Sequence, residues 1–468
     1  MIPRLFVFLT MVGACACTPA FLTAADSTSD RPNIVFIFGD DWGWGDLSSH
    51  GHPYVKTPNI DRLVTEGTDF HRFTVASGVC SPSRTAVNTG QFPARFNIDG
   101  HFAWVPSNAK RGMPDWLDTG APSLPRFLQQ GGYATAHFGK WHLANNMIID
   151  SPTPAEYGYD EYGAFNCSGE QIPVHEDAER AIAFIEKSVA SDKPFFINLW
   201  LHEPHTPFHT VPKYEWRFRH LEDPADQIYA SVLSHADDRI GEVLDAIDRL
   251  GITDNTLVIF SSDNGPARAA TPTELKLMYD TATGAGWGIA GAKGITAGRK
   301  GYKASLFQGG INVPFIARWP AKIAAGEINK SLISAVDILP TFCEIAGVDL
   351  PASYQPDGVS QVAALKGESA LVRTKPLFWK FPSAWPAKKT GPEHWVSFAV
   401  VNQNWKLVAN VDKTYVELYD IVGDPMEHHD LKESQPRIAA EMLAKLTAWQ
   451  HTLPAEPTGD VFSAERSQ

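Results

Sequence analysis

Three largely apolar runs, each of strand length and each ending in polar residues, limit the folds open to this chain more than any other feature. Asn33-Ile34-Val35-Phe36-Ile37-Phe38 leads into Gly39-Asp40-Asp41. Residues 194–201 lead into His202-Glu203-Pro204-His205, and Leu257-Val258-Ile259-Phe260 leads into Ser261-Ser262-Asp263-Asn264-Gly265. A run without polar alternation suits a strand buried on both faces, as in a parallel sheet covered by helices. Between the runs, residues 59–65, 177–190 and 226–250 carry apolar residues at helical spacing, the last stopping at Gly251. Strand and helix thus alternate over most of 32–370, the pattern of an α/β fold. In open α/β sheets, sites form at the carboxyl edge of the strands, so the three polar clusters are candidate functional groups.

The pattern changes past residue 372. Residues 376–385 are aromatic and Pro-punctuated, while 396–401, 405–411 and 416–421 read as short strands of an antiparallel sheet. Residues 437–453 read as an amphipathic helix. The expected organisation is a leader over 1–25, a catalytic α/β unit over 26–371, and a smaller C-terminal α+β subdomain over 372–468. Residues 271–299, rich in Gly and Ala, read as a loop that covers or borders the site.

Arg4 followed by the apolar stretch 5–16 reads as an export signal, too short to span a bilayer. Two endings stay open. Thr23-Ala24-Ala25 fits a signal-peptidase site and is favoured; Val12-Gly13-Ala14-Cys15 resembles a lipobox that would leave a lipid on Cys15. Either places the protein outside the cytoplasm, periplasmic or secreted, with no stable membrane span. The formal net charge of -13 argues against nucleic-acid binding. It leaves an anionic substrate open, because a few local cations decide what a pocket holds. Of the five cysteines, Cys15 and Cys17 fall in the leader. Cys167 and Cys343 could pair in an oxidising compartment, but two separate buried thiols is the favoured reading.

The chemistry centres on Cys80-Ser81-Pro82-Ser83-Arg84, a Cys-x-Pro-x-Arg pattern. Around it stand Asp40-Asp41-Trp42-Gly43-Trp44-Gly45-Asp46, Thr57-Pro58-Asn59-Ile60-Asp61-Arg62-Leu63 and Gly139-Lys140-Trp141-His142. Pro204-His205-Thr206-Pro207, Ser262-Asp263-Asn264-Gly265, Lys303 ahead of Gly309-Gly310-Ile311-Asn312-Val313-Pro314, and Asp337-Ile338-Leu339-Pro340-Thr341 follow in order. Asp40, Asp41, Asp263 and Asn264 make an all-oxygen set of the kind hard cations such as Ca²⁺ or Mg²⁺ prefer. Adjacent carboxylates repel unless a cation or donors offset them. Arg84 lies one helical turn from Cys80 if the motif opens a helix. Lys140 and His142 share a face if their segment is extended. His202-Glu203-Pro204-His205 is not the zinc motif His-Glu-x-x-His, and His202 reads as structural or as a support behind the site residues.

In their joint order these segments resemble the type I, formylglycine-dependent sulfatases of the alkaline-phosphatase-like superfamily. The resemblance covers nearly the whole chain after the leader. It implies a large mixed, mostly parallel sheet flanked by helices. It also implies a sulfuric ester hydrolase whose nucleophile is a Cα-formylglycine hydrate made from Cys80 by a separate maturation enzyme. One hydroxyl of the hydrate would attack sulfur, and the second would let sulfate leave. By the same resemblance Asp40, Asp41, Asp263 and Asn264, with residue 80, bind one Ca²⁺. Arg84 orients the hydrate, Lys140 and Lys303 hold sulfate, His142 is a base, and His205 is the acid for the leaving alcohol. Gln308, where most relatives carry Glu, and Gly39, where Ala is common, depart from the pattern.

A sulfated carbohydrate is the expected substrate, with a small sulfate ester as the lesser case. Trp42, Trp44, Trp104, Trp116, Trp287, Trp385 and Trp395 are candidates to stack on sugar rings. His101, Trp104, Arg268 and Trp287 are expected in the substrate pocket. Two other readings remain open: a phosphonate or phosphate monoester hydrolase of the same superfamily, and a non-catalytic sulfated-glycan-binding protein with an unmodified Cys80.

Overall fold

The computed structural model describes Met1 and residues 31–169, 171–269, 273–368, 372–381 and 396–467. The leader with Arg4, Cys15 and Cys17, and the tryptophans Trp385 and Trp395, lie outside the described residues.

The strands in chain order are β1 (Asn33–Gly39), β2 (Thr68–Phe70), β3 (Phe73–Thr74), β4 (Ala134–Lys140), β5 (Glu161–Phe165), β6 (Phe195–Trp200), β7 (Thr256–Ser262) and β8 (Leu277–Asp280). Then come β9 (Gly284–Trp287), β10 (Phe315–Arg318), β11 (Glu327–Asn329), β12 (Ile333–Ser334), β13 (Leu377–Lys380), β14 (Phe398–Asn402), β15 (Trp405–Ala409) and β16 (Val416–Asp420). Eight of them form one sheet in the order β11-β2-β10-β7-β1-β6-β4-β5. Pairing is parallel from β7 through β5, and antiparallel where β10 meets β7 and β2.

β1 is buried at every position, as an apolar run with no polar alternation requires. Ile34, Phe36 and Phe38 pack into one core with residues of the helices Cys80–Thr89 and Ile338–Ile345. Val35 and Ile37 pack into the other, with the helices Pro58–Glu66, Asp177–Ala190 and Pro224–Arg249. The sheet is therefore covered on both faces.

β1 sits between β6 and β7, so the chain leaves the middle of the sheet in opposite directions. Four parallel neighbours, β4, β6, β1 and β7, end on the same edge. They deliver Lys140, the 202–205 segment, Asp40-Asp41 and Asp263-Asn264 to one place. That is the crevice in which doubly wound sheets bind ligands.

The C-terminal strands form a separate antiparallel sheet, β13-β14-β15-β16, and the helix Pro436–Gln450 contributes to the same core. Trp379 on β13 donates its indole N–H to the Val75 carbonyl at 2.8 Å, tying this sheet to the larger one. Among the described residues, no helix is long and apolar enough to cross a membrane. Cys167 and Cys343 are free and buried.

The expected loop over 271–299 is more ordered than its composition suggested. It holds the β8–β9 hairpin, and Trp287 exchanges backbone hydrogen bonds with Phe208 at 2.9 and 3.1 Å. Periodicity missed it because Leu277, Met278 and Tyr279 all lie exposed, with no buried face to alternate against.

Candidate active site

Cys80 is the first residue of a ten-residue helix, Cys80–Thr89, in which every residue is buried. The helix stops at Gly90, whose φ of +64° is the left-handed geometry of a helix end. Burial pushes the Cys80 thiol up, against the pull of Lys140 and Lys303, so residue 80 as encoded is a thiol and a poor nucleophile. Its Sγ lies 3.6 Å from Lys140 Nζ.

Carboxylates and cations alternate around it. Lys140 Nζ is paired to Asp40, and Lys303 Nζ lies 2.7 Å from the Asp41 carboxylate. Arg84 donates through Nε and Nη2 to Asp263 Oδ2 at 3.0 and 2.7 Å, and through Nη1 to the Lys140 carbonyl at 3.1 Å. Asn264 Nδ2 donates to Asp41 Oδ1 at 2.6 Å. Asp41 has φ +74° and His142 φ +55°, backbone geometry that is costly outside glycine and that collects at functional sites. Gly139, at φ +98°, lets β4 close on β6: a Cβ there would stand 2.1 Å from the Trp200 carbonyl oxygen.

Asp40, Asp41 and Asp263 place their ligand oxygens within 4.8 Å of one another, all buried. Burial pushes Asp40 up, but His205, Lys140, Arg84 and Lys303 together hold it well below the usual carboxylate range. Burial wins at Asp41 and Asp263; the latter is raised to about 7, with Asp40 adding to the rise. Three carboxylates this close cannot all ionise without further positive charge. Asp40 Oδ1 and Asn264 Oδ1 are buried and accept no hydrogen bond from the protein. Unpartnered oxygens on an all-oxygen donor set are what a hard divalent cation would use, so the residues fit Ca²⁺.

Two histidines flank this set with fixed tautomers. His142 Nε2 faces the Phe102 carbonyl at 3.0 Å, so it carries the proton, and the buried Nδ1 keeps a free lone pair. Burial, then Lys140, push His142 well below the usual imidazole range, which keeps it a neutral base. His205 Nδ1 donates to the Thr206 carbonyl, leaving Nε2 to face the site. Burial lowers His205 strongly, and Asp40 opposes that shift.

Cys80, Lys140, His142, His205 and Lys303 line a cavity of about 1760 Å³ that also holds His101, Arg268, Trp287 and Lys293. Lys140 and Lys303 bring two ammonium groups to this cavity, in a chain whose net charge is -13. The Sulfatase family matches residues 32–348.

The chain belongs to the sulfatase family. It is a sulfuric ester hydrolase. The family N-sulphoglucosamine sulphohydrolase, C-terminal, matches residues 300–452 of the same sulfatase. N-acetylgalactosamine-6-sulfatase of Mus musculus is 30% identical over 390 residues, covering 74% of this chain and 68% of its own. The crystal structure of Ps i-CgsB in complex with k-i-k-neocarrahexaose has a TM-score of 0.74 at 24% identity, covering 93% of this chain and 96% of that one. A structure in complex with its substrate D-glucosamine-2-N,6-O-disulfate has a TM-score of 0.63 at 20% identity, covering 90% and 98%. The fold also occurs in the phosphonate monoester hydrolase of Agrobacterium radiobacter, with a TM-score of 0.60 at 19% identity over 90% and 96%.

Tertiary structure corrects several local readings of this sulfatase. Arg84 uses three of its five N–H groups on Asp263 and the Lys140 carbonyl, and so braces that carboxylate and that backbone beside residue 80. Lys140 and His142 both line the cavity, but not as alternate residues of an extended strand, because His142 is left-handed. Trp42, Trp44 and Trp116 are buried at 0, 6 and 4% exposure and offer no face to a sugar. Trp104 is 56% exposed and lies off the cavity lining. His101, Arg268 and Trp287 do line it. His202 is buried, its Nε2 3.0 Å from the Pro207 carbonyl. Gly39 has a packing reason: a Cβ would stand 2.2 Å from the Trp42 ring. Lys293, Asn145 and Asn166 join the lining without having been singled out, since no motif marks them.

Proposed function

We propose that the protein is an exported sulfatase acting on sulfated carbohydrate. Its nucleophile is a Cα-formylglycine made from Cys80, and Ca²⁺ is held by Asp40, Asp41, Asp263 and Asn264 with residue 80. The carrying observation is convergence. Two buried unpartnered oxygens lie at one sheet edge, and Cys80, two lysines and two histidines of fixed tautomer line the cavity beside it. The sulfur of Cys80 occupies the position that formylglycine's aldehyde oxygen would take.

When formed, the modification supplies a hydrated aldehyde, and bound Ca²⁺ supplies positive charge toward a sulfate oxygen. The chain's own residues do the rest in this reading. Lys140 and Lys303 place ammonium groups beside residue 80, where charge spreads over the transferring sulfate. Arg84 locks the Asp263 carboxylate and the Lys140 backbone in place. His142, neutral with a free Nδ1, takes a proton. His205 donates one from Nε2 to the departing alcohol; the negative charge of a bound sulfate ester offsets the burial that otherwise keeps this imidazole neutral.

The substrate class rests on the cavity. Its volume of about 1760 Å³ exceeds the roughly 300–1,000 Å³ of small-molecule sites, and Trp287, His101 and Arg268 line it. The named activity of the mouse relative, on N-acetylgalactosamine-6-sulfate, points the same way. Residues 26–371 are taken as the catalytic unit, with 372–468 packed on it; the leader over 1–25 carries the export reading.

The deciding experiment is the mass of the Cys80 peptide from protein produced with its maturation enzyme. A loss of about 18 Da, thiol to aldehyde, is expected. An intact thiol under those conditions would refute the mechanism and favour a binding protein. Rates on sulfated glycans, aryl sulfates and aryl phosphonates then separate the carbohydrate reading from the phosphonate hydrolase that shares the fold.

A further inference from the structure

We propose that His175, Glu203 and His235 form a second metal site, for a divalent transition cation of the Zn²⁺ class, behind the segment that carries His205.

Three separate elements supply the residues. His175 stands in the turn before the helix Asp177–Ala190, Glu203 follows β6, and His235 lies on the helix Pro224–Arg249. Their ligand atoms lie within 4.8 Å of one another. His175 Nε2, Glu203 Oε1 and His235 Nδ1 are all buried, and His235 Nδ1 has no hydrogen-bond partner. His175 Nε2 lies 2.8 Å from Glu203 Oε1, so these two atoms face each other directly. A buried polar atom without a partner is rare, and His235 Nδ1 beside the His175–Glu203 pair leaves a place that a shared cation would fill.

The chemistry selects the cation. Two imidazoles and one carboxylate suit zinc-class metals, whereas the Asp40 set is all oxygen and suits Ca²⁺. Glu203 is 1% exposed, and its second oxygen is already engaged by Arg239, which also pairs with Asp177. Arg239 lies one helical turn beyond His235, so one helix face presents both the proposed ligand and the group that orients Glu203. Oε1 is thereby aimed at the two histidines. His175 holds φ +85°, an unfavourable geometry for a residue with a side chain, kept at the point where its ring reaches the cluster.

The site has a structural consequence. The Glu203 backbone carbonyl accepts the Asp40 N–H at 3.2 Å and the Trp42 indole N–H at 2.8 Å. A metal on the Glu203 side chain would fix the loop that joins Asp40 to His205.

The test uses full-length protein in buffer with excess Ca²⁺, dialysed against Co²⁺ as a coloured probe for Zn²⁺. One equivalent of bound Co²⁺ with visible absorption of low-coordinate nitrogen–oxygen ligation is expected. It should be lost in His235→Ala and in His175→Asn, whose side chain tolerates positive φ. It should be retained in Asp41→Asn, which disturbs the oxygen set and its Lys303 partner but none of the three proposed ligands. Zn²⁺ should raise the melting temperature of the wild type and of neither histidine variant. If His235→Ala does not fold, Glu203→Gln, close to isosteric, gives the same readout. Absence of stoichiometric Co²⁺ in the wild type, or Co²⁺ binding unchanged by these substitutions, would overturn the proposal.

Discussion

Lys406→Met tests how the C-terminal sheet supports the active-site edge. Lys406 Nζ and Glu427 Oε1 pair at 2.7 Å with both side chains at 0% exposure. Glu427 also accepts the Gln308 N–H at 2.6 Å, at the start of the short helix Gln308–Ile311. That helix carries Gly309 and Gly310, which pack so closely on Gly265 that a Cβ on Gly265 would stand 1.9 Å from the Gly309 carbonyl. Gly265 follows Asn264, so the pair braces the oxygen donors from behind. Removing the lysine leaves a buried carboxylate whose cheapest escape is to take up a proton. At pH 7 that costs about 1.36 kcal/mol per pH unit over roughly 2.7 units, or about 3.7 kcal/mol. Breaking a buried pair typically costs about 3–5 kcal/mol, the same range. With about 2.1 cal/mol/K of unfolding entropy per residue over roughly 440 residues, the melting temperature should fall by about 4 °C.

The pH dependence has a definite sign. In the variant the folded-state value of Glu427 lies above the unfolded one, so the penalty grows as pH rises past about 4.3. It should be only about 1 kcal/mol at pH 5. Adding Glu427→Gln should restore at least half of the loss, because a neutral side chain still accepts from Gln308. Melting curves at pH 5 and 7, read as a double-mutant cycle, decide the matter. A loss under about 1 kcal/mol at pH 7, or an equal loss at both pH values, would refute the reasoning.

Other consequences are direct. Cys80→Ala should reduce sulfate release below detection with little change in melting temperature; measurable turnover would remove residue 80 from the chemistry. Lys303→Met, which strips the cation from Asp41, should lower kcat by about 10²–10³-fold, as loss of one charge-stabilising donor does elsewhere. Chelation of Ca²⁺ should abolish activity and lower the melting temperature, and Ca²⁺ at about 100 times its Kd should restore about 2.7 kcal/mol of stability; unchanged melting curves would contradict the oxygen site. Gly139→Ala should cost at least about 2 kcal/mol and impair Lys140, from unfavourable φ together with the contact at the Trp200 carbonyl, checked by denaturant melts and kcat.

The sequence by itself determined the frame of this protein. Runs such as 33–38 and 257–260 are apolar at successive positions, and only a strand covered on both faces satisfies them, so the parallel sheet was legible locally. The same holds for the candidate residues: Asp40, Asp41, Asp263 and Asn264 follow apolar strands, and Cys80 sits in a five-residue pattern with fixed internal spacing. Tertiary structure alone decided how these groups meet. β1 lies between β6 and β7, so Asp40 and Asp263 become neighbours although 222 residues separate Asp41 from Asp263. Arg84's bond to Asp263, the left-handed turn at His142 and the buried state of Trp42, Trp44 and Trp116 all depend on long-range packing. The cluster of His175, Glu203 and His235 has no spacing to betray it. Its members meet because a helix, a strand end and a turn cross in space, and periodicity records only what one element presents along its own axis.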